Sequence, residues 1–127
     1  MPTYDTSHFD PPAPVAYVTL RDPHSGATVA DVPLLLDTGA DVTLLPRIAV
    51  ERLGVPLLAN ERYELMGFDG SKSFARVVML DMLFLRRAFR GRYLLTEEEH
   101  GILGRDILNH VMGLLDGPRQ QWSEHMP

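Results

Sequence analysis

The sequence predicts an all-β domain, a closed or barrel-like sheet carrying one or two short helices. Three observations lead there. Ten Gly and ten Pro among 127 residues supply many turns and leave little uninterrupted chain for long helices. Short apolar or alternating runs, from residues 15–20 to residues 102–103, recur between clusters of turn residues. The length suits one domain with its own core, because a chain of this size buries roughly two-thirds of its unfolded surface.

Taken in order, residues 1–14 hold four of the ten prolines and little apolar material, so a flexible N-terminal arm is expected. The domain proper is expected over residues 15–123, with a polar tail at 124–127. Residues 15–20 alternate as a strand. Asp22-Pro23-His24-Ser25-Gly26 is turn chemistry, and residues 28–36 form the second arm of a hairpin. After the segment at residues 37–41, residues 42–45 resume an apolar run. A short helix follows from Pro46 to Leu53, with Pro46 at its first position and Gly54 as its left-handed stop. Residues 63–66 and 73–79 read as a second hairpin across Gly67-Phe68-Asp69-Gly70. Residues 82–85 and 92–95 are further strands, and residues 96–100 are an acidic loop. Residues 101–104 precede a second helix, expected from Arg105 to about Met112 and ended by Gly113. Asp116-Gly117-Pro118 then turns the chain into a closing strand at 120–123.

Composition narrows the function. Twelve Lys plus Arg against seventeen Asp plus Glu give a net charge of -5, which argues against a nucleic-acid partner. The absence of cysteine removes thiol catalysis, disulfides and cysteinyl metal sites. The longest apolar stretch, residues 77–85, contains Asp81 and is far too short for a membrane span. Residues 1–10 carry no basic stretch followed by an apolar one. The expectation is a soluble, cytoplasmic domain without membrane partner, metal or cofactor.

The segment with chemical content is Leu34-Leu35-Leu36-Asp37-Thr38-Gly39-Ala40-Asp41. Three aliphatic residues carry a carboxylate to the mouth of a buried strand, where it loses hydration. Thr38 can bond locally, and Gly39 tolerates backbone geometry that other residues resist. A simple turn between two strands accounts for the same residues. A second segment, Ile102-Leu103-Gly104-Arg105-Asp106, shifts the balance.

The pair resembles the retropepsins, the retroviral-type aspartic proteases, with their bacterial and cellular relatives. Residues 35–40 match the apolar run and D-T-G-A, and residues 102–106 match the downstream aliphatic-Gly-Arg-Asp motif. The likeness spans about residues 15–121 in order and spacing. It implies a single-lobe retropepsin-like barrel and an aspartic endopeptidase. A water would be activated between two Asp37 carboxylates, one from each subunit of a two-fold homodimer. Thr38, Gly39, Ala40 and Arg105 would support the site. Asp41 would contact bound peptide or pair with Arg105. Gly67, Phe68 and Asp69 would lie at the tip of a flap over a peptide or protein substrate, and Ile102 would line the cleft. The tip departs from the glycine-rich viral flaps. The helix at residues 46–54 is closer to the bacterial and cellular members. Ala40 lacks the hydroxyl that two-lobed relatives place after the glycine, which implies activity at a higher pH than an Ala40→Ser variant would show.

Other features have plainer readings. Arg86, Arg87, Arg90 and Arg92 read as a solvated strand edge. Asp106 and His110 have the spacing of two metal ligands on a helix face, but no third ligand accompanies them. Glu97-Glu98-Glu99 is a solvated loop. The competing function is a non-catalytic peptide-binding or assembly domain of the same fold.

Overall fold

The structure is a computed structural model that describes residues 2–66 and 69–125. Its strands are β1 (Tyr4–Asp5), β2 (Ala13–Arg21), β3 (Thr28–Leu36), β4 (Leu44–Pro46), β5 (Leu57–Met66), β6 (Lys72–Phe84), β7 (Arg87–Thr96), β8 (Gly101–Leu103), β9 (Gly113–Asp116) and β10 (Gln121–Glu124). Two short helices, α1 (Arg47–Leu53) and α2 (Arg105–Leu108), interrupt them. Eight strands run in the order β1-β2-β3-β8-β4-β7-β6-β5, and a further pairing of β2 with β6 closes six of them into a ring. The expected barrel-like sheet is therefore present. Among the described residues, no helix is long and apolar enough to cross a membrane.

Alternation builds the core. Val18 and Leu20 from β2, Val32 and Leu34 from β3, Leu45, Leu80, Met82 and Leu103 are all buried in one cluster. The β2–β3 hairpin carries a bulge between Val18 and Leu20, opposite Asp31, whose φ is 59°. Pro46 ends β4 and caps α1 from outside the helix instead of opening it, and Gly54 stops the helix at φ 80°.

Several expectations change. Residues 2–14, expected as a flexible arm, dock on the body. Tyr4 and Asp5 pair with Pro14 and Ala13, Thr3 bridges Gln121, and the Trp122 amide donates to the Pro2 carbonyl at 3.0 Å. These are backbone bonds, which composition does not report. The runs at 73–79 and 82–85 are a single strand, because Asp81 continues β6 as a buried residue. Its charge is compensated from both neighbouring strands: Arg21 Nη2 lies 2.9 Å from Oδ2 and Arg90 Nε 2.8 Å from Oδ1.

The arginine cluster is likewise not a free edge. β7 lies between β4 and β6, Arg90 holds Asp81, and Arg92 pairs with Glu61 at 3.0 Å. The hairpin joining β6 to β7 turns at Leu85 and Arg86, at φ 51° and 65°, where glycine or asparagine would ordinarily mark the turn. α2 stops after one turn at Leu108. Tighter turns at His110 and Val111 follow, and Gly113 opens β9 instead of ending a helix.

Candidate active site

β3 ends by delivering Asp37. Leu34 is fully buried and Leu36 packs on the core, so the alternate residues Leu35 and Asp37 share the opposite face of the strand. β8 runs parallel to β3 with Leu35 opposite Ile102 and Leu36 opposite Leu103. The Asp37 amide extends this ladder by donating to the Leu103 carbonyl at 3.0 Å. The two sequence segments are thus neighbours across one strand pair.

The turn after Asp37 is closed on the carboxylate itself. The Gly39 amide donates to Asp37 Oδ1 at 2.9 Å, and the Ala40 amide to the Asp37 carbonyl at 3.2 Å. A Cβ on Gly39 would stand 3.1 Å from the same Oδ1, so a side chain there would press on the carboxylate. Asp37 is half-buried, while Thr38 and Gly39 are exposed. Oδ2 has no hydrogen-bond partner among the described residues.

Arg105 braces this turn. Its Nη1 donates to the Thr38 carbonyl at 2.7 Å, and its amide donates to the Ala40 carbonyl at 2.9 Å. Its contact with Asp41 is longer, Nη2 to Oδ1 at 3.4 Å, with the Asp41 side chain 85% exposed. The expected pair exists, but at the surface, where such pairs contribute little. The bond to Thr38 is the stronger tie.

A second link was not foreseen. Thr43, 1% exposed, donates its hydroxyl to Asp106 Oδ1 at 2.7 Å and its amide to Oδ2 at 3.1 Å. The same hydroxyl accepts the Gly104 amide at 3.1 Å. Asp106, weighed from sequence as half of a metal pair, instead ties the downstream motif to the chain leaving the Asp37 turn. Gly104 must be glycine for this approach, since a Cβ would fall 2.5 Å from the Val42 carbonyl oxygen. The sequence signal was Asp106 itself, the last residue of the second segment. Its partner Thr43 has no local mark.

Beside Leu35 and Ile102 lies a hollow of about 370 Å³, bounded also by His8, Phe9, Glu98 and His100. Ile102, expected to line the cleft, lines this hollow together with Leu35, which shares its strand face with Asp37. At the β5–β6 hairpin, Met66 pairs with Lys72. Asp69 accepts the Ser71 amide at 2.9 Å, and Gly70 has φ 83°. The Ser71 hydroxyl, and after it the Ser71 amide, hold the Asp69 carboxyl below the usual range. Asp69 therefore shapes the turn. Gly67 and Phe68 lie outside the described residues.

Comparison with known proteins agrees with this geometry. A sequence model of the aspartyl protease family matches residues 18–107, well over half of the chain. The chain belongs to the aspartyl protease family. Among solved structures it is similar to EIAV protease complexed with the inhibitor HBY-793, at 25% identity and a TM-score of 0.58. That match covers 85% of this chain and 92% of the other. No curated protein sequence matches. This aspartyl protease chain has the retropepsin-like fold, and both segments that suggested it lie inside the matched region.

Proposed function

We propose that the protein is an aspartic endopeptidase whose active site forms when two copies bring their Asp37 residues together across a two-fold axis. The observation that carries this reading is Asp37 itself, half-buried at a strand end with Oδ1 engaged by the Gly39 amide and Oδ2 open. One chain offers a single such carboxylate, and peptide hydrolysis of this type uses two. The charged carboxylate takes a proton from water as the water oxygen attacks the peptide carbonyl carbon. The protonated partner gives its proton to the carbonyl oxygen. Collapse of the tetrahedral intermediate breaks the C–N bond, and the leaving nitrogen takes a proton from the pair.

The surface that would meet its symmetry mate is the β9–β10 hairpin. Residues 2–4 cover one edge of β10 through the Trp122 and Tyr4 amides, and β10 pairs with β9. The outer edge of β9 pairs with no strand among the described residues. Leu114 and Leu115 there are 50% and 57% exposed, and Met112 nearby is 58% exposed. Two free β9 edges related by a two-fold axis can pair antiparallel, as closed symmetry requires. Leu35 and Ile102 favour extended peptides with apolar side chains beside the cleaved bond.

The test is digestion of a peptide library from pH 4 to 8 by wild type and Asp37→Asn, each first shown dimeric by light scattering. Cleavage by wild type that falls by about a thousandfold or more in the variant is expected. A confirmed dimer that cleaves at no pH would favour the non-catalytic peptide-binding reading.

A further inference from the structure

We propose that Asp5, His8 and His100 form a binding site for one zinc-like transition-metal dication. His8 Nδ1 lies 2.9 Å and His100 Nε2 3.4 Å from Asp5 Oδ2, and the three donor atoms fall within 4.8 Å of one another. Ligands about 2.0–2.1 Å from a tetrahedral Zn²⁺ sit about 3.3 Å apart, close to both of these separations. Two imidazoles and a carboxylate are a donor set of borderline softness, which suits zinc and its neighbours better than magnesium or calcium.

The groups around the donors already fix their aim. Asp5 Oδ1 is occupied by the Ser7 and His8 amides at 2.8 and 2.9 Å, which turns Oδ2 toward both rings. The Phe9 and His100 rings meet nearly perpendicularly, at 85° with centroids 5.2 Å apart. The Asp5 and His100 side chains are only 7% and 14% exposed, whereas His8 is 53% exposed and leaves a path from solvent. Oriented carboxylates and restrained imidazoles of this kind are what metal sites use to hold their ligands. The plain alternative is that both rings donate N–H to Oδ2 and no ion binds. An ion replaces those protons and leaves a fourth position for water. It also clips residues 5–8 to the loop before β8, on the rim of the hollow that contains Leu35 and Ile102.

The site is independent of the protease reading, and so is its test. Zn²⁺ is titrated calorimetrically into metal-stripped full-length protein, and Co²⁺ binding is followed by its visible absorption. One equivalent should bind, with a tetrahedral Co²⁺ spectrum. The His8→Ala/His100→Ala variant should bind at least about tenfold more weakly, and His24→Ala as wild type. Imidazole NMR signals of wild type keep the question open to decision if the double variant fails to fold. Those of His8 and His100 should respond to the first equivalent of Zn²⁺ before those of His24, His110 and His125. No binding up to millimolar Zn²⁺, undiminished binding by the double variant, or first responses at other histidines would overturn the proposal.

Discussion

At the scale of single residues, the site is held by groups beside Asp37 as much as by Asp37. Thr43 is the clearest case, since one buried hydroxyl both donates to Asp106 and accepts from Gly104. A Thr43→Val change keeps the shape but strands both partners, and should lower unfolding free energy by about 2–3 kcal/mol in urea titration. A loss below about 0.5 kcal/mol would mean that water replaces the hydroxyl. Ala40 bears on pH. A serine hydroxyl at this position would favour the charged carboxylate, so the activity profile of Ala40→Ser should move toward lower pH than wild type. An unchanged or upward-shifted profile would refute that role. Asp37, Thr38 and Gly39 were legible from one short contiguous motif, and Arg105 from a second. Thr43 was not, because its partner lies on another element.

At the scale of elements, β6 illustrates how far local reading can mislead. An Asp in an apolar run looks like an interruption, yet Asp81 is buried in the middle of a strand of 13 residues. Arg21 on β2 and Arg90 on β7 make this tolerable, so the triad ties together three adjacent strands of the ring. The bond from Arg90 is the main reason its carboxyl lies below the ordinary range, with Arg21 adding to it and burial opposing. A depressed folded-state value means that this stabilisation is present above the unfolded value and is lost as pH falls through the folded one. Wild type should therefore lose stability as pH drops below about 4. In Arg21→Met/Arg90→Met the buried carboxylate is unpaired, costing about 3–5 kcal/mol at pH 7, and its value rises. That variant should regain stability on mild acidification, the reverse of wild type. Thermal unfolding between pH 3 and 7 checks both signs, and parallel profiles would rule the account out. The turn at Leu85–Arg86 escaped for a related reason: the residues do not announce left-handed backbone, and the pairing of β6 with β7 imposes it.

At the scale of the whole molecule, closure of the ring and docking of the N-terminal residues are both long-range. β8 inserts between β3 and β4, pairing with residues of β3 that lie more than sixty positions earlier in the chain. Trp122 donates its indole N–H to the Val15 carbonyl at 3.0 Å and seats the last hairpin on the barrel. With β9 facing outward, Leu115→Asp should leave the fold intact, as read by circular dichroism. It should also shift the protein to monomer in sedimentation and reduce cleavage at least about a hundredfold, because like charges would face each other near the axis. A dimeric, active Leu115→Asp would place the interface elsewhere.

By itself the sequence determined the fold class, the hairpin at residues 15–36, the helix stopped by Gly54, and the Asp37 and Arg105 segments. Each depends on alternation, turn chemistry or a short motif, and these are encoded within a few residues of one another. Only the tertiary structure decided that the N-terminal residues are docked and that Asp81 is a buried strand residue. It also decided that Asp106 serves Thr43. Those outcomes depend on which distant backbone or charged group arrives to satisfy a buried polar atom, and the closed barrel sets that partner.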